Sequence, residues 1–245
     1  MPSKASELAI VEGMDRDNFS GISRECAEAV RFADEVHGLY VMHSDAIDPY
    51  LVAVQHKAAG ALFIVCRKHL VLGALSLMRL YSAQMYRESR AAVEAAGVAR
   101  LIVNDMAAFR IFSSDDGTPT AAKKARETFK TKILFPQTVP ILKALYDHYD
   151  LASRLSHTSG LTFLRHIVTN PEPGGALFTY QDIHKHHLKR DVVQHFLWLC
   201  MAHLSILVSA DDTFGSVKAD LEEFRRGRSA LFSRLVQFRA QQPNV

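Results

Sequence analysis

Phe196-Leu-Trp-Leu-Cys-Met-Ala-His-Leu-Ser-Ile-Leu-Val-Ser-Ala210 is the longest apolar run in the chain, broken only by His203, Ser205 and Ser209. The run falls short of the ~20 residues that a bilayer span needs. It therefore reads as a helix buried in a protein core, and no membrane segment is expected. Working outward from it, no proline occurs between Pro173 and Pro243, nor between Pro49 and Pro119. A proline inside a helix costs about 3 kcal/mol, so proline-free intervals rich in Ala, Leu, Arg and Glu are where long helices form.

Capping chemistry supports the same reading. Asp48-Pro49, Thr118-Pro119 and Thr179-x-x-Asp182 each place a capping side chain before a periodic segment. Helices are predicted over 22–39, 48–66, 69–112, 119–132, 138–158, 180–210 and 216–241, with a kink or division near Gly97. Residues 161–169 have strand character but no evident partner. The expected fold is all-α: a multi-helix bundle with a long central helical hairpin. Residues 1–20 are expected to be a partly ordered tail and 21–245 one helical domain, with 176–245 as the alternative C-terminal lobe.

Composition narrows the function classes. With 29 basic and 26 acidic side chains and a net charge of +3, the chain lacks a global basic field for nucleic acid. Cys26, Cys66 and Cys200 are far apart and odd in number, which fits a reducing, cytoplasmic setting. The N-terminal residues lack the apolar core of a signal peptide. No phosphate-binding glycine loop, zinc spacing or βαβ alternation is present, so no cofactor is expected.

Two clusters carry polar groups along helical stripes. Arg87, Arg90 and Glu94 fall at i, i+3 and i+7 in an otherwise apolar segment, with Arg90 and Glu94 spaced to pair. Such a stripe reads either as structural glue between helices or as a ligand site. Tyr149, Ser153 and His157 stand at successive i+4 steps. A Ser near a His invites a nucleophile–base reading, but no orienting third group or oxyanion site accompanies it. A hydrogen-bonded core histidine is the simpler account.

In that order, Arg90-x-x-x-Glu94 in an Ala-rich helix followed by Tyr149-x-x-x-Ser153-x-x-x-His157 resembles a loose group of all-helical bacterial proteins related to the HEPN-like helical-bundle class. The resemblance covers roughly residues 55–170. It implies that Arg90, Glu94, Ser153 and His157 converge in the bundle centre. HEPN proteins that cleave RNA carry an Arg followed four to six residues later by a His, usually with a polar residue after the Arg. Arg190-Asp-Val-Val-Gln-His195 has that form, and Arg31 with His37 has the spacing alone. The chemistry would be metal-independent, with His195 as general acid or base and Arg190 holding phosphate. Chance alone supplies about this many matches, and Arg190–His195 lies outside the stretch that carries the resemblance.

His184, His187, Asp191 and His195 also share a helical stripe. Positions i, i+4 and i+8 span ~12 Å of axis, so they cannot all hold one ion, and no metal site is assigned. The last predicted helix sets Leu221, Phe224, Leu231, Leu235 and Phe238 on one face. Arg225, Arg226, Arg228, Arg234 and Arg239 cover much of the rest, as a solvated face or a partner surface. Two function classes follow. One is a binding or interaction module that self-associates as a homodimer or docks a protein partner. The other is a HEPN-like ribonuclease or RNA binder acting in defence or stress responses.

Overall fold

The computed structural model describes residues 7–156, 167–169, 176–178 and 188–242. The helices are α1 (Glu7–Glu25), α2 (Ala27–Ile47), α3 (Val54–Met78), α4 (Ser82–Asn104), α5 (Met106–Ser113), α6 (Pro119–Thr128), α7 (Thr131–Leu134) and α8 (Pro140–Ser156). Strands β1 (Ile167–Thr169) and β2 (Ala176–Phe178) follow, then α9 (Leu188–Thr213) and α10 (Glu222–Gln241). The fold is an all-α bundle, and α3 and α4 form its long hairpin.

The apolar run that opens the sequence reading lies in α9, which packs against α2, α3, α4, α8 and α10. Phe196, Leu199, Cys200, Ala202, Ile206, Leu207 and Ala210 are buried there. By length and composition both α3 and α9 could cross a bilayer, but two-thirds of the α9 stretch (67%) is buried inside the bundle. Its apolarity is thereby explained by the core it fills. The corresponding share of α3 is 33%, and Ile64, Val65 and Val71 lie exposed on its outer face.

Several boundaries differ from expectation, each for a local reason. The expected tail is helical from Glu7, with Ile22 buried in the core and Asp15 accepting a hydrogen bond from the Tyr81 hydroxyl at 2.9 Å. Asp48–Tyr50 does not begin a helix. Pro49 lacks the N–H that would extend α2, and the three residues tighten into a 3₁₀ turn instead. The predicted helix 69–112 is interrupted twice. The first break is at Arg79–Tyr81, where Leu80 has φ +67°. There the Leu80 N–H bonds the Leu77 carbonyl and the Tyr81 N–H bonds the Ser76 carbonyl, both at 2.9 Å. This is a Schellman ending with leucine where glycine usually sits. The second break is at Asp105, whose carboxylate caps α5 by accepting from the N–H groups of Ala107 and Ala108.

The helix is not divided at Gly97; α4 runs through it. A Cβ at Gly97 would lie 2.9 Å from two ring carbons of Phe135 and 3.1 Å from the Leu134 Cβ. The glycine therefore serves close packing of α7 onto α4. The strand-like stretch has a partner after all: β1 pairs antiparallel with β2, with Val168 opposite Leu177. The predicted cap at Thr179–Asp182 lies outside the described residues.

Residues 188–241 pack with the rest of the bundle. Phe224, Leu231 and Leu235 of α10 join the same buried cluster as α2, α3, α4 and α9. The α10 apolar face is the one expected, but its arginines are largely engaged. Arg228 bonds Asp211 at 2.7 Å and the Leu207 carbonyl at 3.1 Å, while Arg225 reaches Asp211 at 3.4 Å. Arg234 makes a two-pronged pair with Glu35 at 2.6 and 2.9 Å. These contacts pin α10 to α9 and α2.

Candidate functional site

Residues Gln194, Leu197, Trp198 and Met201 follow a three- and four-residue step along α9, so they share one side of that helix. Together with Tyr86 of α4, His148 of α8, His195 of α9 and Leu235, Val236 and Arg239 of α10, they line a groove of about 430 Å³. That size is within the range of small-molecule sites.

One wall is a chain of four rings. His195 meets Tyr86 edge-on with centroids 5.6 Å apart; Tyr86 and Trp198 lie 4.7 Å apart and tilted by 59°; Trp198 and His148 meet edge-on at 5.7 Å. These are favoured aromatic geometries. Helix α10 adds the aliphatic side chains of Leu235 and Val236, and Arg239 supplies the cation.

Hydrogen bonding orients both imidazoles. His195 Nδ1 lies against the Asp191 carbonyl one turn back. A carbonyl only accepts, so Nδ1 carries the proton. Ser205 Oγ donates its single proton to the Met201 carbonyl at 3.0 Å, and so accepts from His148 Nε2 at 3.3 Å. Burial holds the His148 ring below the usual histidine range, offset in part by Asp147. His148 is therefore neutral at pH 7. The Ser205–His148 contact is not a nucleophile–base pair: the serine proton is committed elsewhere and the serine lies within a helix.

Of the residues expected to act together on RNA, His195 lines the groove and Arg190 does not. Arg190 is half-exposed and pairs with the neighbouring Asp191 at 3.3 Å. A five-residue step puts about 140° between two side chains on one helix, so the spacing does not aim both at one phosphate. His184, His186 and His187 lie outside the described residues. Among the described residues no group of His, Cys, Asp and Glu is arranged to hold a metal ion.

The polar stripe on α4 faces α8. Arg90 reaches Glu94 Oε1 at 3.3 Å from Nε and 3.4 Å from Nη2, with its guanidinium 5.2 Å from the centre of the Tyr149 ring. Arg87 donates to the Ser156 carbonyl at 3.5 Å and to Gln84 at 3.4 Å. Ser153 Oγ is buried with no hydrogen-bond partner. His157 lies outside the described residues. Glu94 also lines a second, more open cavity of about 560 Å³, with Phe112, Asp115 and Phe129.

Sequence reasoning missed Tyr86, His148, Trp198 and Arg239 as a set. One signal was available: Trp198 is the sole tryptophan, set in the most apolar helix. His148 was overshadowed by its neighbour Tyr149, which begins the stripe facing Arg90, whereas His148 faces α9.

A second polar system runs through the core. Tyr40 and His203 Nδ1 are bonded at 2.9 Å, and His69 Nδ1 meets Glu88 at 2.7 Å. His203 Nε2 and His43 Nε2 are buried without partners. Burial pushes His203 down to about 3 and His43 down to about 4. Both rings are neutral structural members. Comparison with protein families, with curated proteins and with solved structures finds no match to this chain.

Proposed function

We propose that this protein is a binding module that takes a small molecule into the groove between α4, α8, α9 and α10. One observation carries the reading: the chain's only tryptophan lies, with Tyr86 and two oriented imidazoles, along a groove of about 430 Å³. Most of the rest of α9 is buried in the core, including Phe196, Leu199, Cys200 and Ile206. Aromatic walls with a few placed polar groups are what small-molecule sites are made of.

Trp198 makes the test direct. Titrating the purified chain with 1-anilinonaphthalene-8-sulfonate should give saturable energy transfer from Trp198 to the bound dye, at one dye per chain. Transfer that rises without saturation sinks the reading.

The ribonuclease reading is supported by His195, which stands beside two rings able to stack on bases. The position of Arg190, away from the groove, weighs against it. The two readings separate on mixed-sequence RNA. Cleavage by the wild-type chain that disappears in both Arg190→Ala and His195→Ala would replace the binding module with the enzyme.

A further inference from the structure

We propose that the ligand of this groove is a flat aromatic anion, its ring against Tyr86 and Trp198 and its acidic group held by Arg239. The inference deepens the proposed function and rests on it. Charge is the first argument. Among the described residues lining the groove there is one cation, Arg239, and no carboxylate. The second cavity has the opposite character, with Glu94 and Asp115 and no cation among its described lining. An ammonium ligand would find no counter-charge among the groove's described lining.

His148 is neutral, donating from Nε2 to Ser205, and His195 gives its Nδ1 proton to the Asp191 carbonyl. Neither brings a carboxylate to the groove, so Arg239 is the permanent cation of its described lining. A guanidinium presents a planar fork of donors that matches a carboxylate or sulfonate with two parallel bonds.

Shape is the second argument. The Tyr86 and Trp198 rings are tilted by 59° with centroids 4.7 Å apart, and Val236, exposed on α10, lines the same groove. A planar ring can meet such a tilted aromatic pair and the aliphatic side chain together. A flexible alkyl chain would fill the same space without those ring contacts.

A free small molecule is favoured over the stacked bases of an RNA strand. Non-specific strand binding needs a line of cations to follow the backbone. The groove's described lining has one cation, Arg239, and Arg190 is paired with Asp191 instead.

The test uses isothermal titration of the full chain with four probes: 2-naphthoate, 2-naphthylmethanol, 2-naphthylmethylamine and decanoate. The expected result is that naphthoate binds at least about fivefold tighter than the alcohol and decanoate, with the amine weakest. Arg239→Gln should bring naphthoate to the affinity of the alcohol and leave the alcohol unchanged; Arg239 is exposed, so the variant folds. Decanoate or the amine binding as tightly as naphthoate would overturn the assignment. So would a naphthoate preference that survives Arg239→Gln, or displacement of naphthoate by a twelve-nucleotide single-stranded RNA. If none of the four probes binds, the groove is not a ligand site and the proposed function fails with the assignment.

Discussion

Replacing Gly97 with alanine tests the packing of α7 onto α4, because two effects of known size oppose each other there. In a helix interior Ala is favoured over Gly by about 1 kcal/mol. If Gly97 were merely a weak point in α4, Gly97→Ala would stabilise the protein by that amount. But the new Cβ would stand 2.9 Å from two ring carbons of Phe135, inside the closest approach that carbon atoms adopt. Phe135 is buried, and its ring is backed by Tyr149 at 5.9 Å, so it cannot swing aside freely. Overpacking of this kind costs about 1–3 kcal/mol. The net expectation is a loss of about 1 kcal/mol, lowering Tm by a few degrees for a chain of this size.

The companion variant isolates the cause. Phe135→Leu removes the ring edge, and adding Gly97→Ala in that background should stabilise by about 0.5–1 kcal/mol. The coupling energy of the cycle is then about 2 kcal/mol. Urea unfolding followed by circular dichroism measures all four proteins. A Gly97→Ala protein more stable than wild type, or a coupling near zero, would refute the packing argument.

Three other outcomes follow from the structure. His43 and His203 are held near 4 and near 3 by burial, against about 6.5 in the unfolded chain. Their folded values are depressed, so their stabilising contribution is complete above pH 6.5 and is lost as pH falls from 6.5 toward 3–4. At pH 5 each costs about 2 kcal/mol; equal urea midpoints at pH 7 and pH 5 would contradict this. Arg228→Ala leaves the largely buried Asp211 short of its closest partner and should cost about 2–3 kcal/mol, whereas the exposed Arg226→Ala should cost almost nothing. The pair of denaturation curves checks it. Finally, Leu80→Gly should be about 0.5–1 kcal/mol less damaging than Leu80→Ala, because only glycine adopts φ +67° without strain. An inverted order in thermal melts would show that the turn carries no backbone strain.

How far the sequence revealed this molecule depends on which physical signal each feature left behind. The core helix was legible because burial demands apolar residues over several turns, and α9 supplies them from Val192 to Ala210. The cap at Thr118 and the apolar face of α10 were legible for similar reasons. The turn at Leu80 was not, because the residue that ends α3 is a buried leucine rather than glycine. Gly97 was misleading in the other direction: its small size answers a tertiary contact with Phe135, 38 positions away in the sequence.

The groove was hidden for a related reason. Its parts come from four helices, and no two of them share a motif. Arg90 and Glu94 were visible as a pair because one helix carries both, and the structure confirms that pairing at 3.3 Å. Tyr86 and Trp198, far apart in sequence, become neighbours only when α4 meets α9.

The position of α9 in the chain has a consequence for how the protein is made. The helix that α2, α3, α4, α8 and α10 all touch is encoded near the C-terminal end of this sequence. During synthesis the α3–α4 hairpin leaves the ribosome complete at Asn104, whereas α9 is not finished until Thr213. At roughly 5–20 residues per second, the apolar seam that α9 will fill stays open for roughly 5–20 s. Through that interval the nascent hairpin displays Tyr86 without its ring neighbour Trp198, together with the rest of the face that α9 will cover.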